Sequence, residues 1–234
     1  MLWEAVCESN GRRPDTKRYG SSDHYGPSQG GCASSACAKL WVLEDLAELD
    51  GATSGRLRAQ QSGLPDLRPD ELVFGKASHT LINAAFTHTR PGGNRFNGED
   101  RGAWYCAFEC ETALAEVRYH LTRALADVGR FENATDYSEL FADFIGPFHD
   151  LRGLDPAPPC LDPDPAVGYP AGQALATELR TAGSNGIAYP SARRAEGTCL
   201  VAFHPTLVQN VRQGAIWRLE WQGTPEPTMT RSER

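Results

Sequence analysis

Hydrophobic and polar residues divide the chain into an N-terminal stretch without periodicity and a longer part with regular elements. The stretch from Arg18 to Ser35 is rich in glycine and serine and shows no apolar periodicity. Such a segment buries too little apolar surface to offset the conformational entropy that it would lose on ordering. We therefore predict that residues 1–38 form a disordered N-terminal segment.

Apolar residues recur at helical spacing after Lys39, which predicts an amphipathic helix that ends at Gly51. Its apolar face is defined by Leu40, Leu43, Leu46, Ala47 and Leu49. A second short helix is expected over residues 54–61. Residues 39–69 are therefore predicted to form a helical appendage that packs on the main domain or on a partner.

The main domain begins near Leu72, and its first half contains short apolar runs separated by turns. Residues 79–88 form an apolar run with polar ends, which is compatible with a strand or a short helix. Residues 103–108 predict a short buried strand, and residues 111–125 predict a helix. The buried face of that helix is defined by Leu114, Val117, Leu121 and Leu125.

The second half of the main domain predicts a loop, a helix and three strands. Residues 150–170 are rich in proline and aspartate and predict the loop, and residues 171–182 predict the helix. The tail, residues 224–234, is polar and is expected to fray. Because strands and helices follow one another without a repeating βαβ order, the predicted fold class is α+β. The strands are expected at residues 186–189, 198–203 and 215–221.

Composition and charge narrow the class of protein. Hydrophobic residues make up 40% and charged residues 23% of the chain, as in a soluble globular protein. A net charge of -7 disfavours a general nucleic-acid binder but is compatible with a local basic pocket. The chain has no long apolar run and no signal-peptide pattern, so we expect a cytoplasmic protein without a membrane span. Seven cysteines, an odd number without a C-x-x-C motif, favour reduced thiols over a disulfide framework.

Residues 95–116 place three kinds of chemistry on successive local elements. Arg95 lies in a glycine-rich loop, Tyr105 in the predicted strand and Glu116 beside the apolar face of the predicted helix. An arginine offers a two-pronged donor for phosphate, a tyrosine ring packs against a flat ring, and a carboxylate stabilises a developing cation. Together they suit a dinucleotide whose glycosidic bond is to be broken.

Each of these three residues also has a purely structural interpretation. Arg95 could be a surface loop arginine in an ordinary salt bridge, and Tyr105 could be a core aromatic residue. Glu116 could be a solvated helix glutamate paired with Arg123 or His120. These alternatives stay open on the residues alone.

Further candidates lie elsewhere in the main domain. Ser191 and Arg193 follow the predicted strand at residues 186–189; Ser191 could bind a ligand or cap a turn, and Arg193 could contact phosphates. His79 begins the apolar run at residues 79–88 and could edge the pocket or lie in the core. The histidines and cysteines have no metal-ligand spacing, and the glycine motifs of Rossmann and P-loop sites are absent. Neither a metal nor a resident cofactor is therefore expected.

These residues also carry a resemblance to a known family. The order and spacing of four short segments resemble the signature of the RES domain, which is named for its Arg, Glu and Ser. The resemblance extends from about Asp70 to Trp221 and predicts a RES domain over residues 70–223. The four segments are residues 95–97, Tyr105, residues 113–116 and residues 189–193.

RES domains are similar in fold to ADP-ribosyltransferases, so the resemblance implies a small mixed sheet flanked by helices. It also implies the toxin of a bacterial toxin–antitoxin pair, which consumes NAD+ by hydrolysis, phosphorolysis or ADP-ribose transfer to a protein. The implied partner is an antitoxin that blocks the pocket, and DNA would be contacted only through that antitoxin. The sequence leaves open whether the chain forms a homo-oligomer.

The resemblance assigns roles to individual residues. Glu116 would offset the positive charge on the ribose as nicotinamide leaves, with Arg95 and Tyr105 as the other catalytic residues. Position 114 is a leucine, whereas ADP-ribosyltransferases that modify arginine commonly carry an acidic residue two positions before the glutamate. The predicted function is therefore NAD+ depletion by hydrolysis or phosphorolysis; the alternatives are ADP-ribosyl transfer to a host protein and a non-catalytic binding module. The expected substrate-binding residues are Arg95, Tyr105, Ser191, Asn97, His79 and Arg193.

Overall fold

The computed structural model describes residues 16–18, 35–42 and 64–233. Within these residues the helices are α1 (His79–Thr87), α2 (Cys110–Val128) and α3 (Pro165–Thr181). Short 3-10 turns occur at Pro69–Glu71, Pro159–Leu161 and Pro205–Leu207. The strands are β1 (Thr16–Arg18), β2 (Ser35–Val42), β3 (Trp104–Ala107), β4 (Glu132–Phe144), β5 (Phe148–Asp150), β6 (Gly186–Pro190), β7 (Thr198–Ala202), β8 (Gln209–Gln222) and β9 (Thr228–Ser232).

The described strands form one mixed sheet in the order β1-β5-β6-β7-β3-β2-β4-β8-β9. The β1–β5 and β5–β6 pairs are parallel, and the other neighbouring pairs are antiparallel. The fold is α+β, a mixed sheet flanked by helices, which confirms the prediction from the sequence.

The helices cover opposite faces of the sheet. Successive side chains of a strand point to opposite faces, and β3 shows this in its packing. Trp104 and Cys106 pack in a core with Phe86 of α1. Tyr105 and Ala107 pack in a separate core with residues of α2 and α3. The side of the sheet that carries Tyr105 is therefore the side on which α2 and α3 lie together.

Local chemistry explains where α2 ends and where α3 begins. Gly129 follows α2 with a φ of 72°, a left-handed conformation that ends helices and favours glycine. Asp164 precedes α3, and its side chain accepts a hydrogen bond from the backbone N–H of Ala166. Pro165 then occupies the first turn, where a helix does not need the missing N–H.

Most elements of the main domain lie where the sequence predicts them. The predicted strand at residues 103–108 is β3, and the predicted helix at residues 111–125 is α2. The apolar run at residues 79–88, which was compatible with either element, forms the helix α1. The three expected C-terminal strands are β6, β7 and the second half of β8.

Two predictions for loops and tails are wrong in part. Residues 165–170 were predicted as loop but form the start of α3, because Pro165 occupies the first turn, where a helix tolerates proline; Pro170 lies inside the helix. The tail was expected to fray, but Thr228–Ser232 form β9 and pair with β8 through backbone hydrogen bonds. Strands β4 and β5 were not predicted.

The N-terminal predictions are wrong where the structure describes this part of the chain. Ser35–Val42 form β2, which pairs with β4 along its whole length. The sequence predicted disorder up to residue 38 and a helix from residue 39 instead. Pairing with the sheet outweighs the weak local preference of the leucine spacing. Thr16–Arg18 likewise form a strand. The rest of the predicted appendage up to residue 63 lies outside the described residues, and the domain limits stay predictions.

Two further observations concern the described residues as a set. None of the described helices has the length and apolar character needed to cross a membrane. The cysteines between residues 64 and 233 are free thiols, which agrees with the expectation of reduced cysteines for this part of the chain.

Candidate active site

A narrow pocket opens on the side of the sheet that carries α2 and α3. Its cavity volume is about 20 Å³, which is room for about one water molecule. Several of the predicted site residues line it. The lining residues are Asn94, Arg95, Tyr105, Glu116, His120, Tyr169, Tyr189, Ala192 and Arg193.

Glu116 brings a buried carboxylate into this pocket from the middle of α2. The residue is 7% exposed, and its Oε1 accepts a hydrogen bond of 2.5 Å from Ser191 Oγ. Ser191 Oγ itself accepts hydrogen bonds from the backbone N–H groups of Arg193 at 3.0 Å and Arg194 at 3.1 Å. Because these donors occupy the acceptor side of the hydroxyl, its single proton points to Glu116.

Arg193 lies beside the same carboxylate. Its Nε is 4.0 Å from Glu116 Oε2, and its guanidinium carbon is 3.4 Å from the centroid of the Tyr119 ring. Nη2 donates a hydrogen bond of 2.9 Å to the carbonyl of Pro163. Nε is buried without a hydrogen-bond partner. Arg193 Nε is therefore ion-paired with Glu116 but lies beyond hydrogen-bond distance of any acceptor, and such a buried donor requires an explanation.

Arg95 lines the opposite part of the pocket and is bound to the protein itself. Its Nη1 donates hydrogen bonds to the carbonyls of Cys160 at 2.7 Å and Asp162 at 2.8 Å. Its guanidinium carbon lies 5.5 Å from the centroid of the Tyr169 ring. Arg95 thus links its own loop to the proline-rich segment that precedes α3.

Two glycines of α3 allow the helix to approach Arg95. A Cβ atom added at Gly172 would lie within 3.0 Å of the backbone carbonyl oxygen of Arg95, and one added at Gly168 would lie 2.5 Å from its Nη1. A glycine is therefore required at both positions for this close approach. The two glycines are four residues apart and so share one face of α3.

Tyr105 and Asn97 shape the loop that carries Arg95. The Tyr105 hydroxyl accepts a hydrogen bond of 2.9 Å from the backbone N–H of Phe96 and donates one of 2.8 Å to Asn97 Oδ1. Asn97 Nδ2 donates to the carbonyls of Gly98 at 2.8 Å and Arg101 at 3.0 Å. Tyr105 lines the pocket, whereas Asn97 does not and instead fixes the backbone of the loop.

His120 lines the pocket one helical turn after Glu116 and is 8% exposed. Burial, followed by the positive charges of Arg90 and Arg193, lowers the pKa of His120 from 6.5 to about 3. The imidazole is therefore neutral at physiological pH. Its ring also makes an edge-to-face contact with Tyr119 at a centroid distance of 5.1 Å.

Comparison with protein families identifies the family of this chain. The protein-family model for the RES domain matches residues 72–222, well over half of the chain. The chain belongs to the RES domain family. RES domains are associated with toxin–antitoxin pairs and with NAD+. A search of curated proteins finds no match.

This RES domain brings together most of the site residues that the sequence predicts. Glu116 accepts a hydrogen bond from Ser191 and lies 4.0 Å from Arg193. The same pocket is also lined by Arg95 and Tyr105. Asn97, His79 and Ser191 are predicted substrate-binding residues that do not line it, although Ser191 reaches the pocket through its hydrogen bond to Glu116. His79 begins α1, whose core lies on the other face of the sheet, and its Nδ1 is 2.9 Å from the carbonyl oxygen of Lys76.

Sequence reasoning did not single out several residues of the pocket. His120 had a detectable signal, because a residue four positions after Glu116 projects from the same face of a helix. Tyr169 lies in the stretch that was predicted as loop, so nothing indicated that α3 would present it to Arg95. Within the described part of the chain, no group of three or more His, Cys, Asp or Glu residues is arranged to hold a metal ion.

Proposed function

We propose that this RES domain cleaves the nicotinamide–ribose bond of NAD+ and acts as the toxin of a toxin–antitoxin pair. The observation that supports this most directly is the environment of Glu116. Its carboxylate is buried, a hydroxyl fixes one of its oxygens, and arginines border the pocket that contains it. Membership of the RES family supports a function related to NAD+ in a toxin–antitoxin pair.

In the proposed reaction, the bond between ribose C1 and the nicotinamide nitrogen breaks. Its electron pair moves to the ring nitrogen, which removes the positive charge of the pyridinium, and C1 becomes oxocarbenium-like. Glu116 would stabilise this cation, and because the charge develops at C1 only as the bond breaks, the interaction favours the transition state over bound NAD+. Loss of one such preorganised group costs about 3–4 kcal/mol of activation free energy in other enzymes.

The other pocket residues would bind and orient the dinucleotide. Arg193 and Arg95 supply positive charge for the pyrophosphate, and the ring of Tyr105 offers an apolar surface for nicotinamide. NAD+ would be consumed in the reaction, so no resident cofactor is needed. Because the cavity of about 20 Å³ has room for about one water molecule, side chains must move when nicotinamide enters.

The acceptor for the ADP-ribosyl group distinguishes the possible reactions. Water would give ADP-ribose and release a proton, and inorganic phosphate would give the phosphorylated ADP-ribose. Leu114, two positions before Glu116, is buried in the core, so this position supplies no second carboxylate. This favours hydrolysis or phosphorolysis over transfer to arginine, and transfer to another group of a host protein is the alternative.

The proposed partner is an antitoxin that covers the pocket. This part of the proposal rests on the family, whose members generally belong to toxin–antitoxin pairs. DNA would be contacted only through the antitoxin, and the toxin would act on the cytoplasmic NAD+ pool.

The direct test is to incubate the purified full chain with NAD+ and to measure free nicotinamide, with and without inorganic phosphate. We expect release of nicotinamide by the wild-type protein and its loss in Glu116→Gln. A rate that increases with phosphate would indicate phosphorolysis. Binding of NAD+ without release of nicotinamide would show instead a non-catalytic binding module and reject the proposed reaction.

A further inference from the structure

A second and larger cavity adjoins the pocket on the outer side of α2. We call it the α2 groove. One wall is formed by α2, from Ala115 to Ala126, and the other by Phe131 and the turn between β8 and β9 at Pro225 and Glu226. The groove has a volume of about 360 Å³, compared with about 20 Å³ for the pocket. Binding sites for small molecules typically begin at roughly 300 Å³, so the groove is large enough for a ligand.

Arg193 lies between the two cavities and lines both of them. On the groove side its guanidinium packs on the ring of Tyr119, and on the pocket side its Nε is 4.0 Å from Glu116 Oε2. This same Nε is the buried donor without a hydrogen-bond partner. A ligand that extended from the groove to Glu116 would pass the Arg193 guanidinium midway.

The chemistry of the groove suits a flat base that carries a phosphate. Ala115, Ala126 and Phe131 provide an apolar lining. Arg118 lies on the rim but is paired with Glu226 at 2.6 Å, so this pair adds little net charge. Arg123 therefore supplies positive charge in the groove, and Arg193, whose ion pair with Glu116 is longer at 4.0 Å, adds to it at the pocket end; both are complementary to phosphate.

We propose that the α2 groove holds the adenosine half of the dinucleotide, with the pyrophosphate at Arg193 and the nicotinamide end at Glu116. The proposal rests on the proposed function. It accounts for the difference in size between the cavities, because the groove already has room for a nucleoside whereas the pocket must widen. Movement of the Arg193 guanidinium away from Tyr119 would join the two cavities.

The test uses AMP, the nucleotide that would occupy the groove, and two matched tryptophan variants of the full chain. Ala126 lines the groove, and Ala124 is an exposed alanine on the same helix that does not line it. In Ala126→Trp we expect AMP binding, measured by calorimetry, to weaken at least about tenfold. The KM for NAD+ should rise by a similar factor with little change in kcat. Ala124→Trp should change neither quantity, and Glu116→Gln should still bind AMP.

The outcomes separate the groove from the reaction. The proposal would be overturned if Ala126→Trp left AMP binding intact, or if the wild-type protein bound no AMP at millimolar concentration. Intact AMP binding in Ala126→Trp is the result expected if the groove binds an antitoxin segment. The wild-type protein could release no nicotinamide yet bind AMP, with that binding lost in Ala126→Trp. In that case the proposed reaction would be rejected and the groove assignment would stand. If NAD+ were cleaved with equal KM in both tryptophan variants, the groove assignment would fail and the reaction would stand.

Discussion

The first loop, which carries Arg95, and the second loop, which carries Ser191 and Arg193, use their polar groups in different ways. In the first loop, the Nη1 of Arg95 donates to the carbonyls of Cys160 and Asp162, and Asn97 donates to the backbone of its own loop. In the second loop, Ser191 directs its hydroxyl at Glu116. Arg193 donates one hydrogen bond to the carbonyl of Pro163, but its buried Nε faces Glu116 at 4.0 Å without a hydrogen-bond partner. Both arginines bind the proline-rich segment before α3, Arg95 through two carbonyls and Arg193 through one, but only the second loop directs polar groups at Glu116.

This difference shows that residue type alone does not assign a role at a ligand site. An arginine whose N–H groups already bind carbonyls contributes to stability, and removing it leaves those carbonyls without a partner. An arginine with an unpaired buried N–H carries a cost in the folded protein that an anionic ligand could relieve. We therefore expect substitutions in the Arg95 loop to change stability and activity together. Substitutions around Ser191 and Arg193 should change mainly activity.

The largest effect is expected for Glu116→Gln, the carboxylate to which the second loop is directed. The amide keeps the shape of the side chain but removes the negative charge that would stabilise the ribosyl cation. We expect kcat for NAD+ cleavage to fall by about 10²-fold or more, which corresponds to roughly 3 kcal/mol, with a smaller change in KM. The matched control is Glu111→Gln, an exposed glutamate in the first turn of the same helix.

Glu111→Gln should retain wild-type kinetics, and the melting temperature of Glu116→Gln should stay close to that of the wild type. Full activity of Glu116→Gln would reject both the mechanism and the role that the family resemblance assigns to this residue.

The next largest effect is expected when Arg95 and Arg193 are each replaced by lysine and the two variants are compared. Lysine keeps the charge but cannot reproduce the planar set of donors. Arg95→Lys should lose its bonds to two carbonyls, lowering the free energy of unfolding by about 1–3 kcal/mol and reducing activity as well. Arg193→Lys should lower kcat/KM for NAD+ about tenfold with a smaller loss of stability. Urea unfolding and initial-rate kinetics on the same preparations measure both quantities, and equal losses of stability would contradict the proposed division between the loops.

A smaller effect is expected where α3 contacts the first loop. In Gly172→Ala the added Cβ would overlap the backbone carbonyl oxygen of Arg95, so the helix or the loop must shift. Such overpacking typically costs about 1–3 kcal/mol of folding free energy, partly offset by the better helix propensity of alanine. The control is Gly98→Ala in the same loop, where an added Cβ meets no atom within 4 Å. Equal melting temperatures for the two variants would show that the contact between α3 and Arg95 is not close.

The sequence predicts the elements whose apolar residues follow a regular spacing, and α2 is the clearest of them. Strand β4 was missed because polar residues that the fold buries interrupt its pattern. Glu139 is only 4% exposed, and its carboxylate accepts hydrogen bonds from the backbone N–H of Ala215 at 2.9 Å and Trp217 Nε1 at 3.2 Å. A buried carboxylate with such donors looks like a surface residue in the sequence, because its partners lie far along the chain.

The same reasoning separates the predictable part of the site from the rest. Glu116 lies next to the apolar stripe of α2, so its position at the edge of the core can be read from the helical period. The hydrogen bonds of Arg95 cannot be predicted from the sequence, because their acceptors are carbonyls more than sixty residues further along the chain, in a segment without periodicity. Whether an arginine supports the fold or faces the ligand is decided by such distant acceptors.

The smallest expected effect concerns His120, and it tests whether the second loop sets the charge of the pocket. Burial, and after it the positive charges of Arg90 and Arg193, together lower the pKa of His120 to about 3. In the unfolded chain the imidazole has its ordinary pKa of 6.5. The unfolded state therefore binds the proton first as the pH falls, and the stability that His120 contributes is complete above pH 6.5 and is lost progressively toward pH 3.

Arg193→Gln removes one of the charges that depress this pKa but leaves the burial of the imidazole largely unchanged. We expect the pKa of His120 to rise in this variant while staying below 6.5, which an NMR titration of the imidazole would measure. The total loss of stability between pH 6.5 and pH 3 should be correspondingly smaller than in the wild type, with most of the difference below pH 4. Arg193→Lys is the matched control because it keeps the charge, and it should leave the titration of His120 near that of the wild type. An unchanged pKa in Arg193→Gln would mean that burial and the charges that remain, with Arg90 first among them, keep His120 neutral, and that the second loop does not impose its charge on the pocket.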